Sequence, residues 1–246
     1  MSDSPLRIHQ IREQLRQQLD AGVFDKDHKL PSERQLSELF AVSRMTLKDA
    51  LSALEAEGLI YREGRRGWFV AVPRLIYNPL SRSHFHRMVE EQHRRADTEV
   101  LSIQSELASP ELMRVMELEP LTPIERLTRR RSIDGRAVLL VENCLVSRYF
   151  PDILKEDLTQ SLTELYRQRY GYRNSRSRFD VQPAAAPASV AKALHLSPGQ
   201  MVLKIIRVNY NQAGELIDSE FEYWRHDAVC IRIDSQCRVE TEAILK

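Results

Sequence analysis

"LPSERQLSELFAVSRMTLKDALSALEAEGLI", residues 30–60, decides the fold of the first part of the chain. It holds two short amphipathic segments with only Ala41-Val42-Ser43 between them. Ser32 stands at an N-cap position, and Gln35 three residues on completes a capping box. Leu36, Leu39 and Phe40 form the expected inner stripe of this first helix. Ser43 is the next N-cap, and Val42 with Leu47 has the spacing of a hydrophobic staple. Leu47, Ala50, Leu51 and Leu54 then recur at helical spacing, and Gly58 ends the run. A buried helical hairpin has no use for Ser-Arg-Met-Thr-Leu-Lys at the start of its second helix. A surface that sits against a polyanion does.

Working outward, residues 5–21 place Leu6, Ile8, Ile11, Leu15 and Leu19 at mostly helical spacing, with Pro5 in the first turn and Gly22 at the end. On the other side, "LIYREGRRGWFVAV" alternates loosely and turns between Gly64 and Gly67, which predicts a β-hairpin. Three helices and a hairpin make a winged helix-turn-helix over residues 1–73, closed by Pro73. In such a unit the N-terminal residues of the second helix of the pair meet base edges in the major groove. Here that end carries Ser43, Arg44, Thr46 and Lys48. Arg and Lys suit guanine O6 and N7, while a Thr hydroxyl is versatile and its methyl can meet thymine. Arg34 opens the preceding helix, where free backbone N–H groups and the helix dipole favour a phosphate. Gly64, Arg65, Arg66 and Gly67 form a wing tip that can reach a phosphate or the minor groove, the glycines allowing close backbone approach. The same pattern also serves protein–protein modules, in which Ser43-Arg44 is a solvated cap and Arg65-Arg66 an exposed turn.

The bulk numbers neither announce nor forbid a nucleic-acid partner. The 246 residues suit two domains, the net charge is +1, and residues 1–73 carry 11 Lys/Arg against 11 Asp/Glu. Any DNA-binding face must therefore come from sorting the basic groups to one side. No run of 18 or more apolar residues exists, so no transmembrane helix and no membrane partner is expected. The start "MSDSPLRIHQ" lacks the order of a signal peptide. Cys144, Cys230 and Cys237 have no CxxC spacing and read as reduced thiols of a cytoplasmic protein. His86 and His93 can share a helical face, but no further ligand completes a metal set. No Gly-rich phosphate loop, HExxH or Ser/His/Asp arrangement is present, so neither a cofactor nor a catalytic set is expected.

Residues 74–95, "RLIYNPLSRSHFHRMVEEQHRR", are polar and basic and read as a connector. Residues 96–246 then mix strands and helices without βαβ alternation, which predicts an α+β domain around an antiparallel sheet. "IERLTRRRSIDGRAVLLVENCLV" is a hairpin turning at Asp134-Gly135. On its first strand Arg129 and Arg131 alternate and so share a face. Glu142 lies on the partner strand. Paired arginines on one sheet face can clamp a phosphate, phosphonate or carboxylate, or can form a salt-bridged surface. Ser161 lies at the start of a predicted helix, an anion-friendly place or an ordinary cap. Asp218 and Trp224, six apart on a late strand, can share a face.

These residues carry a resemblance. The stretch quoted first, followed by "GWFV", resembles the DNA-binding domain of the GntR family of bacterial transcription regulators over about residues 5–72. The resemblance implies that Arg34, Arg44, Thr46 and Lys48 touch DNA. The position of Lys48 is commonly Arg in that family. The wing, commonly Gly-x-Gly-Thr, is here Gly64-Arg65-Arg66-Gly67-Trp68, one residue wider and more basic. Residues from about 96 to 240, through "RLTRRRSIDGRAVLLVE", "LTQSLTELY", "PGQMVLKIIRV" and "GELIDSEFEYWRHD", resemble the effector-binding (UTRA) domain of the HutC-type subfamily, whose fold is similar to chorismate lyase. That resemblance implies a ligand pocket lined by Arg129, Arg131, Glu142, Ser161, Asp218 and Trp224. Two arginines with two carboxylates suit an anion that also carries an amine or hydroxyls, such as a sugar phosphate, an aminophosphonate or an amino-acid-like acid.

The expectation is a homodimeric, cytoplasmic, ligand-responsive regulator, a repressor by the commoner polarity, that reads a pseudo-palindromic double-stranded operator. The ligand can change DNA affinity only by favouring one placement of the two winged helices, with residues 74–95 as transmitter. The rival readings are a lyase-type enzyme with an accessory DNA-binding domain and a partner-binding module without a small ligand.

Overall fold

The structure is a computed structural model that describes residues 5–24, 28–64, 66–81 and 84–234. Arg65 and Cys237 lie outside the described residues. The first unit is α1 (Pro5–Asp20), α2 (Glu33–Phe40), α3 (Arg44–Ala56), β1 (Ile60–Glu63) and β2 (Gly67–Val70). Ser32 and Gln35 form the full capping box on α2, and Ser43 caps α3. Ile11 and Leu15 of α1 meet Leu36 of α2 and Leu47, Ala50, Leu51 and Leu54 of α3 in one core, closed by Ile60 and Trp68 of the hairpin. Leu39 departs from the expected stripe and is 69% exposed. Leu36 and Phe40, four apart, take the inward line of this two-turn helix and leave Leu39 on its shoulder.

The second unit begins earlier than the sequence suggests. Within residues 74–95, read as connector, lie β3 (Leu75–Tyr77) and α4 (Phe85–Glu90). Leu75, Tyr77, Phe85, Met88 and Val89 are buried in one cluster with Trp224. β3 pairs in parallel with β10 (Val229–Ile231), so the start of the segment is tied to the end of the domain. These apolar residues are spread among polar ones, which hid them.

A six-stranded antiparallel sheet follows, in the order β4 (Ala96–Leu107), β5 (Pro123–Ile133), β6 (Arg136–Val146), β9 (Leu216–Arg225), β8 (Met201–Tyr210), β7 (Arg176–Ala185). α5 (Pro110–Met116) and α7 (Ala188–Ala193) cover one face through Leu112, Met116, Val190 and Ala191. On the other face the cluster around α4 and Trp224 sits apart from a second one formed by Phe150, Leu158, Tyr166 and the start of α6 (Leu162–Arg169). The space between these two clusters is the ligand-sized cavity described below.

Candidate functional site

The outward surface of the helix-turn-helix is set by how α3 starts. Ser43 is extended (φ −66°, ψ 154°), and its Oγ accepts the Thr46 N–H at 3.2 Å and lies 2.8 Å from Thr46 Oγ1. Thr46 is only 2% exposed. The expectation that Thr46 faces a base edge is therefore corrected: its side chain faces inward and locks the first turn. Beyond the cap, the exposed residues at this end of α3 are Arg44, Met45, Lys48 and Asp49. Arg34 is exposed on the first turn of α2, with Nη1 3.7 Å from Glu38. At the wing, Gly64 (φ +35°) and Gly67 (φ +104°) take left-handed backbone. A Cβ on Gly64 would stand 3.2 Å from the His195 carbonyl, so the turn is seated closely on the second unit. Arg66 is paired with Glu63 and lies 5.4 Å over the Phe69 ring.

The wing is joined to the sheet by a buried ion cluster. Arg225, the last residue of β9, is fully buried. It donates to the Arg62 carbonyl of β1 at 3.0 Å, to the Leu194 carbonyl at 3.1 Å and to Asp227 at 3.0 and 3.1 Å. Arg136 donates to Asp227 at 2.7 Å, lies 3.8 Å from Glu63, and stacks 3.3 Å over the Tyr61 ring. Burial opposes the charge on Asp227, yet its bonds to Arg225 and the Arg136 charge hold it down at about 2. The strand that contacts the wing is the same one that floors the cavity.

That cavity measures about 490 Å³. Its charged floor comes from alternation across the sheet, where Arg129, Val141, Glu222 and Ile205 are paired in one row and Asn143, Glu220 and Arg207 in the next. Tyr77, Phe85 and His86 form one wall, and Thr159 to Glu164, at the start of α6, form another. Of the expected residues, Arg129, Arg131, Ser161 and Trp224 line it. The two arginines differ in what they do. Arg129 is 1% exposed and fully engaged, donating twice to Asn143 Oδ1 (3.2 and 2.9 Å) and to the Leu158 and Gln160 carbonyls (3.3 and 3.1 Å). Burial, then the Arg131 charge, lower its pKa to about 9. It clamps the loop that presents Ser161. Arg131 stacks 4.9 Å over Phe85, and its Nε has no hydrogen-bond partner among the described residues. Burial lowers its pKa, with the Glu220 and Glu222 charges opposing.

Glu142 and Asp218 are not in the lining, and both placements are corrections to the sequence reading. A β-bulge between Arg131 and Ser132 makes Arg131 pair with Leu139 while Ser132 pairs with Ala137. Val138 is the extra residue. Without it Glu142 would share the face of Arg129 and Arg131; the one-residue shift turns it to the opposite face, where it meets Arg126 at 3.2 Å. Asp218 does share the face but lies one row beyond Glu220, against α6, accepting from the Tyr166 hydroxyl at 3.3 Å. Its Oδ1 is buried without a partner among the described residues. Burial, then the Glu220 charge, raise its carboxyl to about 7.

Sequence reasoning missed Arg207, Glu220, Glu222, Tyr77 and Phe85. The signal was present in "DSEFEYW", where Asp218, Glu220, Glu222 and Trp224 alternate. Arg207 bonds the Tyr77 hydroxyl and lies 3.4 Å from both Glu220 and Glu222. Glu222 accepts from Trp224 Nε1 at 2.7 Å. Burial opposes charge on Glu220, but Arg207, Arg131 and Arg129 hold it below the usual carboxylate range; burial raises Glu222, with Arg207 opposing. The cavity thus offers a guanidinium at Arg131 whose Nε has no hydrogen-bond partner among the described residues, and a carboxylate edge about Glu220 and Glu222.

Residues 7–70 match the family described as bacterial regulatory proteins, gntR family, and residues 91–229 match the UTRA domain. The HTH-type transcriptional repressor NagR of Bacillus subtilis is 30% identical over 230 residues, covering 91% of this chain and 93% of that protein. The HTH-type transcriptional regulator YihL of Escherichia coli is 29% identical over 235 residues, 95% of this chain and 100% of that one. Among solved structures, PhnF from Mycobacterium smegmatis superposes with a TM-score of 0.65 at 24% identity, over 93% of this chain and 100% of that chain, a likeness of fold.

Proposed function

This chain belongs to the gntR family of bacterial regulatory proteins, with a UTRA domain as its second unit, and on that footing we propose that it is a homodimeric cytoplasmic repressor whose hold on a pseudo-palindromic operator is set by a small anionic metabolite. Arg34, Arg44 and Lys48 are exposed at adjoining helix starts and suit the DNA backbone and base edges. The observation that carries the ligand half of the reading is Arg131, a largely desolvated guanidinium whose Nε has no partner among the described residues, in the lining of the cavity beside a helix N-terminus. A phosphate or carboxylate there neutralises it, while Glu220 and Glu222 accept hydrogen bonds from hydroxyls or an amine on the same molecule. The likeness to a protein named as a repressor supports the polarity.

The reading also needs a route between cavity and wing. β9 supplies it, carrying Glu220, Glu222 and Trp224 in the cavity and Arg225 in the joint with β1. A ligand that favours one seating of β9 favours one placement of the winged helix, and the coupling is reciprocal. The test is a thermal-shift screen of sugar phosphates, aminophosphonates and amino-acid-like acids on the full chain and on Arg131→Met. A stabilising compound that loses its effect on Arg131→Met supports the reading. Stabilisation that survives the substitution removes Arg131 from the site.

A further inference from the structure

We propose that Met45 is a base-reading residue, making apolar contact with a thymine 5-methyl group in the major groove; this rests on the DNA-binding reading above. The argument starts from the first turn of α3. Ser43 and Thr46 use their side chains on each other and on the helix start, and Thr46 is buried. Beyond the Ser43 cap, the exposed positions at this end of the helix are Arg44, Met45, Lys48 and Asp49. Met45 is 67% exposed. It is a long unbranched apolar side chain in the turn that also exposes Arg44 and Lys48.

Nothing in the first unit needs Met45 there. The core that closes α1, α2, α3 and the hairpin is complete with Leu47, Ala50, Leu51 and Leu54, and Met45 takes no part in it. An apolar group that contributes nothing to folding and stays in water is neutral at best. Placed in a major groove between Arg44 and Lys48, it meets the one apolar group that the base edges display, the thymine methyl. A thioether chain is flexible and polarisable and adapts to that contact at more than one depth. Arg44 then supplies hydrogen-bond readout, and Met45 supplies the A·T-against-G·C choice at a neighbouring step.

Losing a contact of that size is worth about fourfold in affinity per half-site, the factor for one buried methyl-sized group. The experiment uses the full-length chain. Bound sequences are selected from a random duplex pool with the wild-type protein. In the selected site each thymine is then replaced in turn by uracil, which removes only the 5-methyl group, and affinity is measured for wild type, Met45→Ala and Met45→Leu. The expected result is one thymine per half-site whose replacement weakens wild type about fourfold, weakens Met45→Leu comparably, and leaves Met45→Ala unchanged. Indifference of the wild type to uracil at every thymine, or equal sensitivity of Met45→Ala, overturns the assignment of Met45 while leaving the DNA-binding reading intact. A pool that enriches no sequence overturns the DNA-binding reading and this inference with it.

Discussion

Arg129 and Arg131, two residues apart on one strand face, answer differently when each is changed to methionine. Arg129→Met removes a guanidinium that satisfies Asn143 Oδ1 and the Leu158 and Gln160 carbonyls. Gln160 is exposed and its carbonyl can turn to water, so two acceptors are stranded. A buried acceptor left unmade costs roughly 1–3 kcal/mol. Relief of the desolvated charge beside Arg131 offsets part of this, leaving a net loss of roughly 2–3 kcal/mol. For a chain of this length that lowers the melting temperature by roughly 4–12 °C. Arg131→Met strands no hydrogen-bond acceptor: its Nε bonds to nothing among the described residues, and the loss of its favourable charge beside Glu220 is offset by relief of its repulsion of Arg129. Its melting temperature stays within about 2 °C of wild type, or rises. Differential scanning calorimetry without ligand separates the two. Equal losses for both variants, or a neutral Arg129→Met, would refute the division into clamp and ligand-facing arginine.

Arg44→Ala lowers affinity for the selected site by roughly 10- to 100-fold and affinity for random duplex much less, measured by anisotropy at fixed salt; equal losses mean that Arg44 meets only phosphate. Asp227→Ala leaves Arg225 and Arg136 buried without their shared carboxylate and costs roughly 3–5 kcal/mol in urea unfolding, with new protease cleavage between the two units; unchanged stability dissolves the joint. Asp218 titrates at about 7 in the folded chain against 3.8 for its ordinary value. With the folded pKa raised, the native state holds the extra proton, so this residue's contribution to stability falls as pH rises from about 4 to 7. Stability of Asp218→Asn relative to wild type therefore increases over that window; a flat difference contradicts the raised pKa.

Much of the first unit was legible because its signals are local. Ser32 with Gln35, and Ser43 with the staple, fix two helix starts within a few residues. Asp134-Gly135 fixes the central hairpin in the same way. What failed was non-local. Glu142 was misplaced by one bulged residue, Val138, that no spacing rule announces. Thr46 is the local exception: the Ser43 cap is legible in the sequence, but the inward turn of the Thr46 side chain toward it is not. Tyr77 and Phe85 look like connector residues until β3 pairs with β10, some 150 residues later. Arg207 and its carboxylate partners come from separate strands, and their convergence depends on the register of β8 against β9.

The central claim is that an anion at Arg131 changes how the chain holds DNA. The direct measurement is the affinity of the full chain for its selected duplex, at fixed salt, with and without each anion that stabilises the protein. The account predicts a change of roughly 5- to 150-fold for such an anion, lost in Arg131→Met. An anion that stabilises the chain through Arg131 and leaves DNA affinity unchanged would contradict it.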